Sequence, residues 1–376
     1  MKKIVVKIGS SVIAPQGKID EEKMDNIIQD IIQLEKKEIK TVVVSSGAIA
    51  CGLNKLGWRK KPSDLASLQA LASVGQINLM NIYRERFSQY NKVCAQILLT
   101  WDDFNDRKRY LNARNTINKV LQLGIIPIIN ENDTISNEEI KFGDNDRLSA
   151  LVSDLLSADF LVILSDVDGL FSESGLVKVV KEIDEKIMGL AKRENKIFLS
   201  KGKSLKGKKG KQKKDSKSSP LRVTTGGMVT KLEAAKIATA AGIKTVIANG
   251  KVKGVISKAI KEEVGTLFLP TKIISKSRKR WIAFSKKIKG RVYIDEGAKE
   301  AILEKGKSLL AVGINKVEGE FVSGDSVEIL DEKGEVIGCG IVNYSFNELK
   351  NLNGKRLEKE VVHRDNFVKK GVNYLK

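Results

Sequence analysis

Runs of consecutive apolar, β-branched residues recur along the first 270 positions, each closed by small or polar residues. Lys3–Ile8, Thr41–Ser46, Val93–Leu99, Ile125–Ile129, Phe160–Leu164, Thr245–Ala248 and Thr266–Phe268 read as strands. Most do not alternate between apolar and polar positions, which predicts strands buried on both faces. Between them apolar residues return at helical spacing. Met24, Ile27, Ile28, Ile31 and Ile32 form one stripe, and Leu65, Leu68, Leu71 and Ala72 form another. Two further helices are predicted from about Asp106 to Leu123 and from Asn145 to Leu156. Strands alternating with helices imply an α/β fold, a mainly parallel sheet sandwiched by helices.

The pattern changes after the basic stretch Ser275-Lys276-Ser277-Arg278-Lys279-Arg280. Strands are predicted at Arg291–Asp295, Glu320–Val322, Ser326–Leu330 and Val336–Val342, with a short helix at Ala298–Lys305. Asp331-Glu332-Lys333-Gly334 reads as the turn of a hairpin between the last two strands. The expected organisation is a catalytic α/β domain over 1–274, a linker at 275–280 and a small, mostly β domain over 281–367.

Composition narrows the function classes. A chain of 376 residues with 41% hydrophobic and 30% charged residues is expected to be a soluble protein of two or three domains. No leader precedes the first strand and no apolar run approaches the ~20 residues that span a bilayer, so a cytoplasmic protein without a membrane partner is expected. Three scattered cysteines and a single histidine, His363, argue against a disulfide framework, a His-based triad and a His-rich metal site. The net charge of +21 invites a nucleic-acid reading. Much of that charge is local, however: nine lysines and one aspartate lie between Lys201 and Lys217, within a stretch over 201–219 expected to be a solvated, mobile loop. The last hundred residues hold 20 Lys/Arg against 15 Asp/Glu, only +5, and a nucleic-acid partner is not expected.

Two segments carry the strongest chemical signal. Lys7-Ile8-Gly9-Ser10-Ser11 closes the first strand, and Thr225-Gly226-Gly227-Met228-Val229-Thr230-Lys231 opens a helical pattern. Glycine lets backbone N–H groups approach phosphate oxygens, a helix N-terminus adds partial positive charge, and a lysine supplies the point charge that phosphoryl transfer needs. The pair points to a nucleotide-dependent kinase. It is not of the P-loop type: at the Gly-Lys-Ser tripeptides of Gly202 and Gly306, the glycine required five residues upstream is Ile197 or Ala301. Polar clusters also follow strands at Ser45-Ser46-Gly47, Asn130-Glu131-Asn132-Asp133 and Ser165-Asp166-Val167-Asp168-Gly169, where open α/β sheets bind ligands. Gly143-Asp144-Asn145-Asp146 opens a helix and reads either as a cap or as part of the same site.

In order, "VVKIGSS", "VVVSSGAIACG", "ASVGQ", "PIINENDT", "IKFGDNDRLSALVS", "SDVDGLF" and "TGGMVTKLEAA" resemble the glutamate 5-kinase family of the amino acid kinase superfamily. The tail "RKRWIAF", "DEGAKEAI", "GDSVEILDEKGEVIGCGIVNYS" and "VVHRDNFV" is similar to that family's PUA domain. The resemblance implies ATP-dependent phosphorylation of the γ-carboxylate of L-glutamate, with Mg²⁺, as the first step of proline synthesis. It implies that Lys7 and Lys231 offset charge on the transferring phosphoryl group and that Asp146 holds both lysines. Ser46, Asp133 and Asn145 fall at the glutamate positions. Lys7, Gly9, Ser165, Asp166 and Thr225, Gly226, Gly227, Met228, Val229, Thr230 and Lys231 fall at the ATP positions. No residue falls at a dedicated metal-ligand position. Feedback inhibition by proline, a homo-oligomer (commonly a tetramer) and functional coupling to glutamyl phosphate reductase are also implied. The chain departs from the family in having Ser165 for a frequent Thr, Thr224 for a frequent Gly, and the Lys-rich stretch.

Overall fold

A computed structural model describes residues 2–15, 18–135, 145–192, 227–270, 279, 282, 288–351 and 357–370. The Lys-rich stretch 201–219, the linker apart from Lys279, and Thr225 and Gly226 lie outside the described residues. The chain divides into two compact units, one of Met1–Asp103 and Lys108–Thr271, the other of Phe104–Arg107 and Lys272–Lys376. Among the described residues no helix is long and apolar enough to cross a membrane.

The first unit is built on strands β1 (Lys3–Ile8), β2 (Lys40–Ser45), β3 (Cys94–Leu99), β4 (Ile126–Glu131), β5 (Phe160–Ser165), β8 (Val179–Val180), β9 (Lys244–Asn249) and β10 (Thr266–Phe268). They form one sheet in the order β3-β4-β2-β1-β5-β9-β10-β8. The six strands from β3 to β9 run parallel, and β10 pairs antiparallel to β9. A hairpin of β6 (Phe171–Ser172) and β7 (Gly175–Leu176) lies between β5 and β8 in the chain. Each predicted strand of this unit forms, with ends displaced by at most two residues.

Strand pleating decides which side chain goes where, because successive residues face opposite sides of a sheet. Ile4, Val6 and Ile8 of β1 enter a core with Met24, Ile27, Ile28 and Ile31 of α2 (Glu21–Glu35). The odd residues Val5 and Lys7 therefore face the other side, where α7 (Asn145–Leu156) and α9 (Met228–Ala240) pack. Nearly every residue of α7 is buried, including Asn145 and Asp146 in its first turn. Lys7 thus meets the start of a buried helix at the carboxyl edge of the sheet.

On the α2 side, α3 (Ala48–Lys55) and α4 (Leu65–Ser88) cross very closely. A Cβ added at Gly75 would stand 1.7 Å from the Ala48 carbonyl oxygen, and one at Gly52 would stand 2.0 Å from that of Leu71. This contact holds α4 against the turn after β2, where Gly47 takes φ 116°. The hydrophobic pattern did not indicate α3, whose small residues instead serve this crossing.

The second unit carries a five-stranded sheet, β12-β11-β13-β14-β15, from Ile314–Gly319, Ile288–Ile294, Ser326–Leu330, Val336–Ile341 and Phe367–Lys369. The expected hairpin forms, with β13 antiparallel to β14 and Gly334 at φ 78°. The strand expected at Glu320–Val322 does not: β12 ends at Gly319, φ 96°, and Phe321 turns into the core edge-on against Phe346.

Gly75→Ala should destabilise the protein by about 1–3 kcal/mol, the usual cost of overpacking. Gly189→Ala, where an added Cβ meets nothing, should be neutral or slightly stabilising. Urea unfolding of the two variants checks the contrast.

Candidate active site

Strand ends and the starts of two helices, α7 and α9, supply the candidate side chains. Lys7 on β1 and Lys231 in the second turn's beginning of α9 converge on Asp146, which opens α7. Lys7 Nζ lies 2.5 Å from Asp146 Oδ1, and Lys231 Nζ lies 3.3 Å from Oδ2. The Thr230 hydroxyl donates to the same Oδ2 at 2.8 Å. All three charged residues are at least nine-tenths buried. Burial alone would push the Asp146 carboxyl up, but the two ammonium charges outweigh it and hold the group well below the usual carboxylate range. Asp146 is therefore a fixed anion between two cations.

Glycines flank this group. The N–H of Gly9 donates to the Leu164 carbonyl at 3.2 Å, tying the end of β1 to β5. Lys7 Nζ lies 3.6 Å from where a Cβ on Gly9 would stand. Gly227 caps α9 with its backbone alone, so no cap side chain occupies the first N–H groups of that helix. Met228 and Val229 lie in its first turn. At the end of β5, Ser165 Oγ donates to Asp166 at 3.2 Å, and Gly250 N–H donates to the Ser165 carbonyl at 2.8 Å. Asn249, which the sequence pattern did not single out, donates to Asp168 at 2.8 Å.

A second polar group adjoins Asp146 through its neighbour in the chain. Asn145 Nδ2 donates to Ser46 Oγ at 3.1 Å and to Asn130 Oδ1 at 3.0 Å. Asn130 Nδ2 donates in turn to Gln76 Oε1 at 2.8 Å. Ser46 and Asn145 are thus brought together, whereas no contact joins Asp133 to them among the described contacts. Asp133 lies buried in the turn after β4. Burial, reinforced by the Glu131 charge and partly offset by Lys61, pushes its carboxyl up to about 7. Sequence reasoning placed Asn130 only within a polar cluster, without a role of its own, and gave none to Gln76. The signal for Gln76 was its neighbour Gly75, since a glycine inside a helix marks close backbone approach.

A buried carboxylate clamped between two lysines, beside glycine-edged strand ends and an uncapped helix start, is suited to holding phosphate groups. Residues 2–249 match the amino acid kinase family. The chain belongs to that family. Residues 290–364 of this amino acid kinase match the PUA domain. It is 42% identical to a glutamate 5-kinase of Caldanaerobacter subterraneus subsp. tengcongensis, over 97% of each chain. Glutamate 5-kinases of Dictyoglomus thermophilum and Dictyoglomus turgidum are 43% and 44% identical, over 98% of this chain and 97% of theirs.

The two aspartates should respond to pH in opposite windows. Asp133 binds its proton more tightly folded than unfolded, so the stability it contributes is complete below pH ~4 and lost as pH rises through about 7. Asp133→Asn should therefore raise Tm relative to wild type more at pH 8 than at pH 4.5. Asp146 is shifted down, so its contribution is present above pH ~4 and lost only in stronger acid. Asp146→Asn should cost about 3–5 kcal/mol, the penalty for unpairing buried charge, undiminished between pH 8 and pH 5. Thermal and urea unfolding across pH check both signs.

Proposed function

We propose that this amino acid kinase transfers the γ-phosphoryl group of ATP to the γ-carboxylate of L-glutamate, giving ADP and L-glutamyl 5-phosphate for proline synthesis. The convergence of Lys7 and Lys231 on buried Asp146 carries the reading, and the full-length similarity to glutamate 5-kinases supports the choice of substrate.

A γ-carboxylate oxygen of glutamate attacks the γ-phosphorus, and the bond to the bridging oxygen of ADP breaks. The acceptor is already an anion, so no general base is required, and catalysis rests on positioning and electrostatics. Lys7 and Lys231 face the phosphate oxygens, where they offset the charge that spreads during transfer. Asp146 fixes both ammonium groups in advance, so little reorganisation accompanies the reaction. The first turn of α9, behind Gly227, cradles the phosphates through backbone N–H groups, while Gly9, whose own N–H is held by Leu164, leaves room for them beside Lys7. Thr225 and Gly226 are assigned to the same nucleotide. Ser165 and Asp166 border the nucleotide. Ser46, Asp133 and Asn145 bind glutamate, the carboxylate of Asp133 serving its ammonium group.

Mg²⁺ enters with the nucleotide. Such a small, hard cation binds chiefly through phosphate and water oxygens. We assign catalysis to a domain over 1–274, with the PUA domain at 281–367 tuning assembly or feedback by proline in a cytoplasmic homo-oligomer. The acyl phosphate product is labile, and coupling to glutamyl phosphate reductase would consume it promptly.

Incubation with ATP, Mg²⁺ and glutamate in hydroxylamine should yield γ-glutamyl hydroxamate. Absence of hydroxamate from glutamate, with a strong yield from another carboxylate, would reject the substrate. Lys7→Ala and Lys231→Ala should each lower kcat by ~10²–10³, the cost of removing one preorganised transition-state charge. Near wild-type turnover in either variant, measured by ADP release, would reject its role.

A further inference from the structure

The hydrogen bonds among Gln76, Asn130 and Asn145 have only one self-consistent direction. The backbone N–H of Glu131 donates to Asn130 Oδ1 at 2.9 Å, and a backbone N–H can only donate. Asn130 must therefore present its oxygen to Glu131 and its NH₂ to Gln76. Asn145 faces that same oxygen and must present its NH₂. Gln76 accepts through Oε1, so its own NH₂ points away from the relay. The two ends of the relay are left over: Gln76 Nε2 and Asn145 Oδ1 are both buried and without a hydrogen-bond partner among the described residues. The relay thus ends in one orphaned donor and one orphaned acceptor.

Leaving a buried donor unpaired costs about 1–3 kcal/mol, so such a donor marks a place where a ligand oxygen belongs. Its position says which oxygen. Asn145 adjoins Asp146 and the two lysines, while Gln76 lies two hydrogen bonds further along the relay. A group held at Gln76 is therefore remote from the reacting carboxylate. The close crossing of α3 and α4 at Gly75 holds Gln76 in place beside the Ser46 turn.

We infer that Gln76 is a substrate-binding residue whose Nε2–H donates to the α-carboxylate of the amino-acid substrate, so that it selects for an anionic group at that end. The inference deepens the proposed reaction and rests on glutamate being its acceptor. The glutamine amide serves as a neutral reader here because it is locked in orientation by a main-chain N–H, that of Glu131, two hydrogen bonds away.

The test compares glutamate with glutamic acid α-amide as acceptors for the full-length protein at saturating ATP. Wild type should prefer glutamate by ~10-fold or more in kcat/KM. Gln76→Glu replaces the donor with a carboxylate that repels the α-carboxylate but accepts from the α-amide. It should lower kcat/KM for glutamate ~10–100-fold, the scale of a lost hydrogen bond to a charged group, chiefly by raising KM. The KM for ATP should stay within about twofold, and the preference for glutamate over the amide should fall at least ~10-fold. Gln76→Met, which removes the donor at similar volume, should lower the same preference without reversing it, and serves should the buried glutamate prevent folding. Equal losses on both acceptors would mean that Gln76 only braces Asn130 and would overturn the inference. So would an unchanged KM for glutamate, or a wild type indifferent to the two acceptors. A wild type that phosphorylates neither glutamate nor its α-amide, but another acid, overturns the proposed function together with this inference.

Discussion

The ion-paired group of Lys7, Asp146 and Lys231 is the constraint on which the rest of the molecule depends. Burying three charged side chains is expensive unless they are paired in good geometry. Each comes from a different element: β1, α7 and α9. The pairing therefore fixes the distance of two helices from one strand at the carboxyl edge of the sheet. Two ammonium groups on one carboxylate leave this group of three positively biased, which suits a polyphosphate. In the proposed reaction, the same interaction that orders the core would prepare the electrostatics of transfer.

The second polar group shows the same economy. Asn145 follows from the start of α7 and is carried into place with Asp146. Its amide then connects Ser46 after β2 with Asn130 on β4, and Asn130 connects with Gln76 on α4. Neighbouring strands β4, β2 and β1 bring these ends side by side. The ion-paired group and the amide relay therefore meet at two consecutive residues, Asn145 and Asp146.

Much of this was legible in the chain. Strands buried on both faces write uninterrupted apolar runs, so β1, β2, β4, β5 and β9 could be placed within a residue or two. Lysines beside glycines at strand and helix ends exposed Lys7 and Lys231. What escaped notice depended on distant partners. Asp30 breaks the apolar stripe of α2 because its buried carboxylate accepts from the N–H groups of Ile256 and Ser257, more than two hundred residues away. Gln76 resembles any polar helix residue until its crossing with α3 is known. Pattern reasoning also placed a strand at Glu320–Val322, where the apolar Phe321 serves the core from a turn instead.

The central claim is that Lys7 and Lys231 bind the transferring phosphoryl group more strongly than they bind ground-state nucleotide. Binding of ADP alone and of ADP with aluminium fluoride and glutamate, measured by calorimetry in wild type and Lys231→Ala, tests it most directly. The fluoride complex imitates the group in transfer. The account predicts that the variant loses ~10²-fold or more in affinity for that complex while its affinity for ADP changes by only a few-fold. Equal weakening of both would contradict it, since Lys231 would then be a nucleotide anchor and nothing more.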